Sequence, residues 1–211
     1  MRSSVLFLSL TLALTGCFST ESEEASEVTS EGVDIEKNPL GALSALANMG
    51  NDLQNLQEEL EAMPDVDPVH FNDLIAVLPE PPSGWTAQDP KGQTSDMGGM
   101  KLSNASRVYT EQDGDGRVEI EIQDWAFNKL VYGPFMIRSK FSQESTEGWN
   151  KGITVGEDPG YEEYKTKSRR GERMVLYGKR YPIKINVRNQ DAEAFDEWWQ
   201  AIPVGDLPKA Q

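Results

Sequence analysis

The sequence predicts an α+β domain, an antiparallel sheet with helices packed on it, and three observations predict it. Val118, Ile120 and Ile122 alternate with Glu119 and Glu121, the period-two pattern of a half-buried strand. Short Gly-bearing turns separate such segments, and short turns join strands as antiparallel hairpins. Phe195, Trp198, Trp199 and Ile202 fall at i, i+3, i+4 and i+7, the spacing of one helical face. The predicted order is helix, strands, helix, strands, helix, which makes a sheet with helices on it rather than alternating βαβ units.

The chain opens with MRSSVLFLSLTLALTG, residues 1–16. Arg2 precedes an apolar run from Val5 to Leu14, with Thr15 and Gly16 behind it. That is the layout of a secretory signal, and the run is too short to span a bilayer. Leu14-Thr15-Gly16-Cys17 resembles the lipobox of bacterial lipoproteins, and Cys17 is the single cysteine in 211 residues. The resemblance implies cleavage by signal peptidase II between Gly16 and Cys17. It also implies a thioether-linked diacylglycerol and an N-acyl chain such as palmitate on Cys17. Several acyl chains on one residue make a stable anchor, whereas one gives only marginal binding. Phe18 follows where an Asp would favour the inner membrane in this lipoprotein class. The implied address is therefore the outer membrane, facing the periplasm of a two-membrane cell.

Removing residues 1–16 takes away Arg2, so 19 bases remain against 35 acids, a net charge of −16. Such a chain as a whole is repelled by nucleic acid and by anionic membrane surfaces, and no nucleic acid is expected as a partner. Residues 17–37 hold the lipidated cysteine and an acidic, Ser/Thr-rich segment with seven acids and one base. Nothing in it offsets the entropy of ordering, so a tether with a span of roughly 25 Å is predicted.

Asn38-Pro39 reads as a helix cap and first helical residue, opening an amphipathic helix over 38–63. Leu46, Met49, Leu53, Leu56, Leu60 and Met63 form one stripe on it, and Gly50 weakens it. The stripe either lies over the chain's own domain or forms a seam for an oligomer through Leu46, Leu53 and Leu60. It is too short for a coiled coil, and the first reading is favoured.

A single α+β domain is expected over residues 66–207. Asp67-Pro68 repeats the helix-start signal, with Phe71, Leu74, Ile75 and Leu78 at helical spacing before Pro79. PEPPSG, residues 79–84, is a stiff connection into Trp85, and a hairpin around residues 112–116 follows. A helix is predicted over 127–142 with Leu130, Ile137 and Phe141 on one side, and Gly133-Pro134 either kinks it or delays its start. Further strands follow, punctuated at Gly156 to Gly160, at Arg170-Gly171 and at Gly178, and the last alternates as Ile183, Ile185 and Val187. The final helix begins near Asp191. This order of elements loosely resembles that of the PsbP-like sandwich fold, a likeness of topology alone.

Each candidate site has a plainer explanation beside it. QDGDGRVEIEI suggests a calcium loop on Glu111, Asp113, Asp115 and Gly116, but that register puts Ile122 where a bidentate Glu is required. A hairpin turn accounts for the Asp-Gly pairs better. His70 is the only histidine and has no Cys or second His for zinc, so it reads as a surface or helix-end residue. Trp198 and Trp199 read as core rather than as a carbohydrate or peptide platform. Met97 and Met100 around Gly98-Gly99 read as a flexible loop. KSRRGER, residues 167–173, reads either as a patch that orients the domain on an acidic partner or on lipid headgroups, or as a charged hairpin tip that discourages edge pairing.

No nucleophile motif, phosphate loop or dinucleotide fingerprint occurs in the chain. No catalytic, cofactor-binding or metal-binding residue is assigned. The expected function is therefore a lipid-anchored envelope protein that acts by binding an envelope protein or a cell-wall component. The alternative is a periplasmic enzyme using carboxylates or His70. An enzyme needs acids converging in a polar cleft; a binding module needs an exposed apolar patch or an open sheet edge.

Overall fold

The structure, a computed structural model, describes residues 54–97 and 100–209. The lipobox with Gly16 and Cys17, the tether, and Leu46, Met49 and Leu53 lie outside the described residues. Helix α1 covers residues 54–62 and α2 covers Phe71–Ile75. Four strands follow: β1 (Trp85–Ala87), β2 (Lys91–Met97), β3 (Met100–Glu111) and β4 (Arg117–Asp124). Then come α3 (Lys129–Arg138), β5 (Ser142–Ser145), β6 (Gly148–Val155), β7 (Asp158–Lys165), β8 (Arg170–Tyr177) and β9 (Tyr181–Arg188). Helix α4 (Ala194–Ala201) closes the domain, with a 3-10 turn at Val204–Asp206.

The nine described strands form one antiparallel sheet, the predicted α+β architecture, in the order β1-β3-β4-β9-β8-β7-β6-β5, with β2 also on β3. After β4 the chain crosses through α3 to the far edge, then meanders back strand by strand until β9 docks beside β4. That crossing decides where α3 lies, since it must span the sheet from β4 to β5.

Alternation sorts the side chains onto two faces. Val118, Ile120 and Ile122 of β4 and Ile183, Ile185 and Val187 of β9 form the larger core with Leu74 of α2 and Phe195 and Trp198 of α4. Trp198 packs edge-on to Trp85 at 5.1 Å and against Tyr109 at 4.6 Å. The predicted apolar face of the last helix is thus seated as expected. Tyr161, Met174 and Leu176 point to the other face, where Tyr132 and Phe135 of α3 cover them and Leu56, Leu60 and Met63 pack against the cluster. The described part of the first helix therefore lies over its own domain. Glu59 ties it down, accepting from the Tyr132 hydroxyl at 3.1 Å and pairing with Lys179.

Three expectations are corrected. The second helix starts at Phe71, because His70 and not Asp67 caps it; Asp67 is drawn away to Lys101, at 2.6 Å. Met97 and Met100 belong to strands rather than to a loop, β2 and β3 pairing with Met97 opposite Met100, while Gly98-Gly99 lie outside the described residues. The third helix runs over Lys129–Arg138 and not over 127–142; Leu130, Ile137 and Phe141 do share one side, which is the exposed one at 76%, 45% and 64%, while Tyr132 and Phe135 are buried. Both faces of this helix are apolar, and the aromatic one fills the space above Tyr161.

Candidate functional site

His70 is exposed and its Nδ1 accepts from the Asn72 N–H at 3.2 Å, so the only histidine is a helix cap. The Glu111–Gly116 segment closes the β3–β4 hairpin: Glu111 N–H donates to the Gly116 carbonyl at 2.9 Å, and Asp113 and Asp115 are exposed. Glu111 is itself occupied, accepting from Gly116 N–H and from Gln190, both at 3.3 Å. Among the described residues no group of three His, Cys, Asp or Glu could hold a metal ion.

The basic cluster is the β7–β8 hairpin end. Lys167 pairs with Glu147 at 2.9 Å and Arg169 with Asp191 at 3.0 Å, so the tip is tied to neighbouring loops. Arg173 runs inward. Its guanidinium holds buried Glu162 at 2.7 Å and Asp196 at 2.6 Å, over the ring of Phe195. Glu162 also accepts from Trp149 Nε1 at 2.8 Å and sits 3.5 Å from Lys151. Two carboxylates do converge here, beside a cleft between β6, β7 and α4. Oε1 of Glu162 accepts from the indole N–H and Oε2 twice from Arg173, with Lys151 beside them, which suits a cross-brace between layers.

A second buried pair has the same character. Asp124 is fully buried, and it accepts from Arg180 at 2.7 and 2.9 Å, from Val69 N–H and from Ala126 N–H at 2.8 Å each. It clips the segment entering α2 to the end of β4. The hydrogen bonds from Asp124 hold the Arg180 guanidinium above its ordinary range. Sequence reading missed both braces, since the partners stand 11 and 56 residues apart.

What remains is the α3–β5 end. Leu130, Ile137 and Phe141 are the large apolar side chains that stand exposed among the described residues. Pro134, between them, is exposed as well. A shallow groove of about 340 Å³ runs beside them, walled by Pro134, Ile137, Phe141 and Gln143 with Arg138 and Asn150. Arg138 Nε and Asn150 Oδ1 are buried there without a hydrogen-bond partner among the described residues, a cost a fold ordinarily avoids. The rest of the Arg138 guanidinium lies 4.0 Å above the Tyr161 ring and reaches Glu163 at 3.5 Å. Strand β5 ends the strand order, and all four of its residues are exposed.

Gly152 of β6 makes this end compact. A Cβ there would collide with the Ser139 carbonyl, and its N–H donates to the Phe141 carbonyl at 2.7 Å. The glycine therefore lets the end of α3 settle on the sheet and fixes where Phe141 stands. The exposed apolar patch and the open edge that mark a binding module meet at one place. No family model, curated protein or solved structure matched the chain. The site is read from its chemistry alone.

Proposed function

We propose that this chain is a lipid-anchored envelope protein that acts by binding, and that the α3–β5 end is its binding surface. The observation that carries the proposal is the exposed stripe of Leu130, Ile137 and Phe141 beside a sheet edge that is unpaired among the described residues. The anchored half of the reading rests on Cys17 in Leu14-Thr15-Gly16-Cys17. The likeness to the PsbP-like sandwich in element order bears on topology and adds nothing about activity.

Two readouts test it. The intact mature chain should begin at Cys17 and carry the mass of a diacylglycerol and an acyl chain, lost in Cys17→Ser. Leu130→Glu with Phe141→Glu should keep the fold, because both side chains are exposed, yet abolish crosslinks formed in native membranes. An unmodified Cys17 contradicts the anchor. Crosslinks unchanged in the double variant contradict the binding surface, and turnover of a wall-derived substrate that is lost in Glu162→Gln would favour an enzyme.

A further inference from the structure

We infer that the outer stripe of α3 docks on an anionic lipid bilayer, so that the anchored domain lies down on its own membrane. This inference deepens the reading above, and rests on it. Leu130, Pro134, Ile137 and Phe141 follow at spacings of four, three and four, one stripe along α3 and the turn after it. A surface helix that is apolar on both faces has a second cover to find. At about 3.6 residues per turn, Lys129 and Lys140 fall to one side of the stripe and Arg138 to the other. Apolar side chains flanked by cations are the pattern of a helix lying in a membrane interface; Arg138 is turned onto Tyr161 and Glu163, so exposed Lys129 and Lys140 are the cations that the headgroups would meet.

Charge supports the same occupant. Residues 125–143 carry three bases and no acid, in a chain with 35 acids. The acids that face these cations come from the domain: Glu163 of β7 on Arg138, and Glu59 of α1, whose carboxyl feels Lys140. Glu144 of β5 is the next acid along the chain. The chain as a whole is repelled by an anionic surface at long range. That repulsion is screened beyond about 8 Å at physiological salt, so contact is governed by the local charges. Leu130 and Phe141 are widely exposed, at 76% and 64%. Such side chains enter a fluid interface without the shaped pocket that a rigid partner would have to supply. A tether of about 20 residues would keep the bilayer at an effective concentration in the millimolar range.

The test uses the full-length lipoprotein with Ser142→Cys, an exposed position next to Phe141. Lipidation of Cys17 leaves this as the only thiol to carry an environment-sensitive dye. The protein is reconstituted into phosphatidylethanolamine–phosphatidylglycerol vesicles containing lipids with a shallow nitroxide quencher. An Asp115→Cys label at the β3–β4 turn is the control. We expect quenching at 142 several-fold above that at 115. We expect the difference to fall by half or more with Lys129→Glu and Lys140→Glu, and in pure phosphatidylcholine vesicles. Equal quenching at both positions in vesicles that carry the protein overturns the docking and leaves the anchor standing. A chain that does not float with vesicles contradicts the anchored reading itself and, with it, this inference. A protein captured by a photocrosslinker at 142 in native membranes, with no lipid quenching there, makes that protein the occupant and overturns the bilayer.

Discussion

At the scale of single residues, the two buried ion pairs brace the fold, Glu162–Arg173 within the sheet and Asp124–Arg180 at the end of β4. Asp124 is the sharper case, because its four hydrogen bonds satisfy a carboxylate that water cannot reach. Removing one partner of such a pair strands the other charge, at a cost of about 3–5 kcal/mol. We expect Asp124→Ala to lose stability of that order in denaturant unfolding, with Arg180 left buried and unpaired. A loss within the ordinary range of a surface substitution would show that the brace is weaker than its geometry. These pairs were invisible in the sequence. Asp124 reads there as the polar end of an alternating strand, and Arg180 as part of a turn. Only the docking of β9 beside β4 brings them together. His70 was legible as a surface or helix-end residue rather than a catalyst, but not as the cap itself, which the Asp67-Pro68 signal placed three residues earlier.

At the scale of elements, legibility followed amphipathicity. Strands β4 and β9 and helix α4 each have one apolar face, so periodicity named their buried residues correctly. Helix α3 has two, and spacing grouped Leu130, Ile137 and Phe141 on one side without telling which side is buried. Strands β2 and β5 read KGQTSDM and SQES, polar segments whose pairing comes from their neighbours and not from their own pattern. The two faces of α3 differ in their consequences. Phe135→Ala should cost about 3–5 kcal/mol, since it empties a site between Trp125 and Tyr161. Leu130→Ser, by contrast, should stay within about 0.5 kcal/mol of the parent, as surface changes do. Equal losses at the two positions would mean that the outer face is covered in the isolated protein. Gly152→Ala gives a third reading of the same end. It should push the end of α3 off β6, raising hydrogen exchange over residues 139–142 while the β4–β9 core stays protected.

At the scale of the whole molecule, both sides of one sheet are closed by helices and the layers are fastened by tyrosines. Tyr109 bonds the Pro79 carbonyl and Tyr181 the Pro208 carbonyl, each at 2.7 Å; Tyr132 reaches Glu59, and Tyr161 reaches Glu172 at 2.6 Å. Burial pushes all four phenols above their ordinary value, Tyr181 to about 12. A folded chain therefore keeps protons that an unfolded chain releases. The stability they contribute is fully present below about pH 10, the ordinary phenol value, and is lost as pH rises from there toward 12. We expect the denaturant midpoint to fall over that window, with phenolate absorbance from these four appearing only as the protein unfolds. Rapid ionisation of every tyrosine in the native state would contradict it.

The measurement that bears most directly on the central claim is hydrogen exchange of the full-length protein in its native membranes, compared with the same protein extracted into detergent. An anchored domain that binds through α3 and β5 should show slower exchange over residues 129–145 in the membrane, with the β3–β4 turn unchanged. Identical exchange in both states, with the protein still membrane-bound, would mean that this face covers nothing and that the domain is only held near the bilayer.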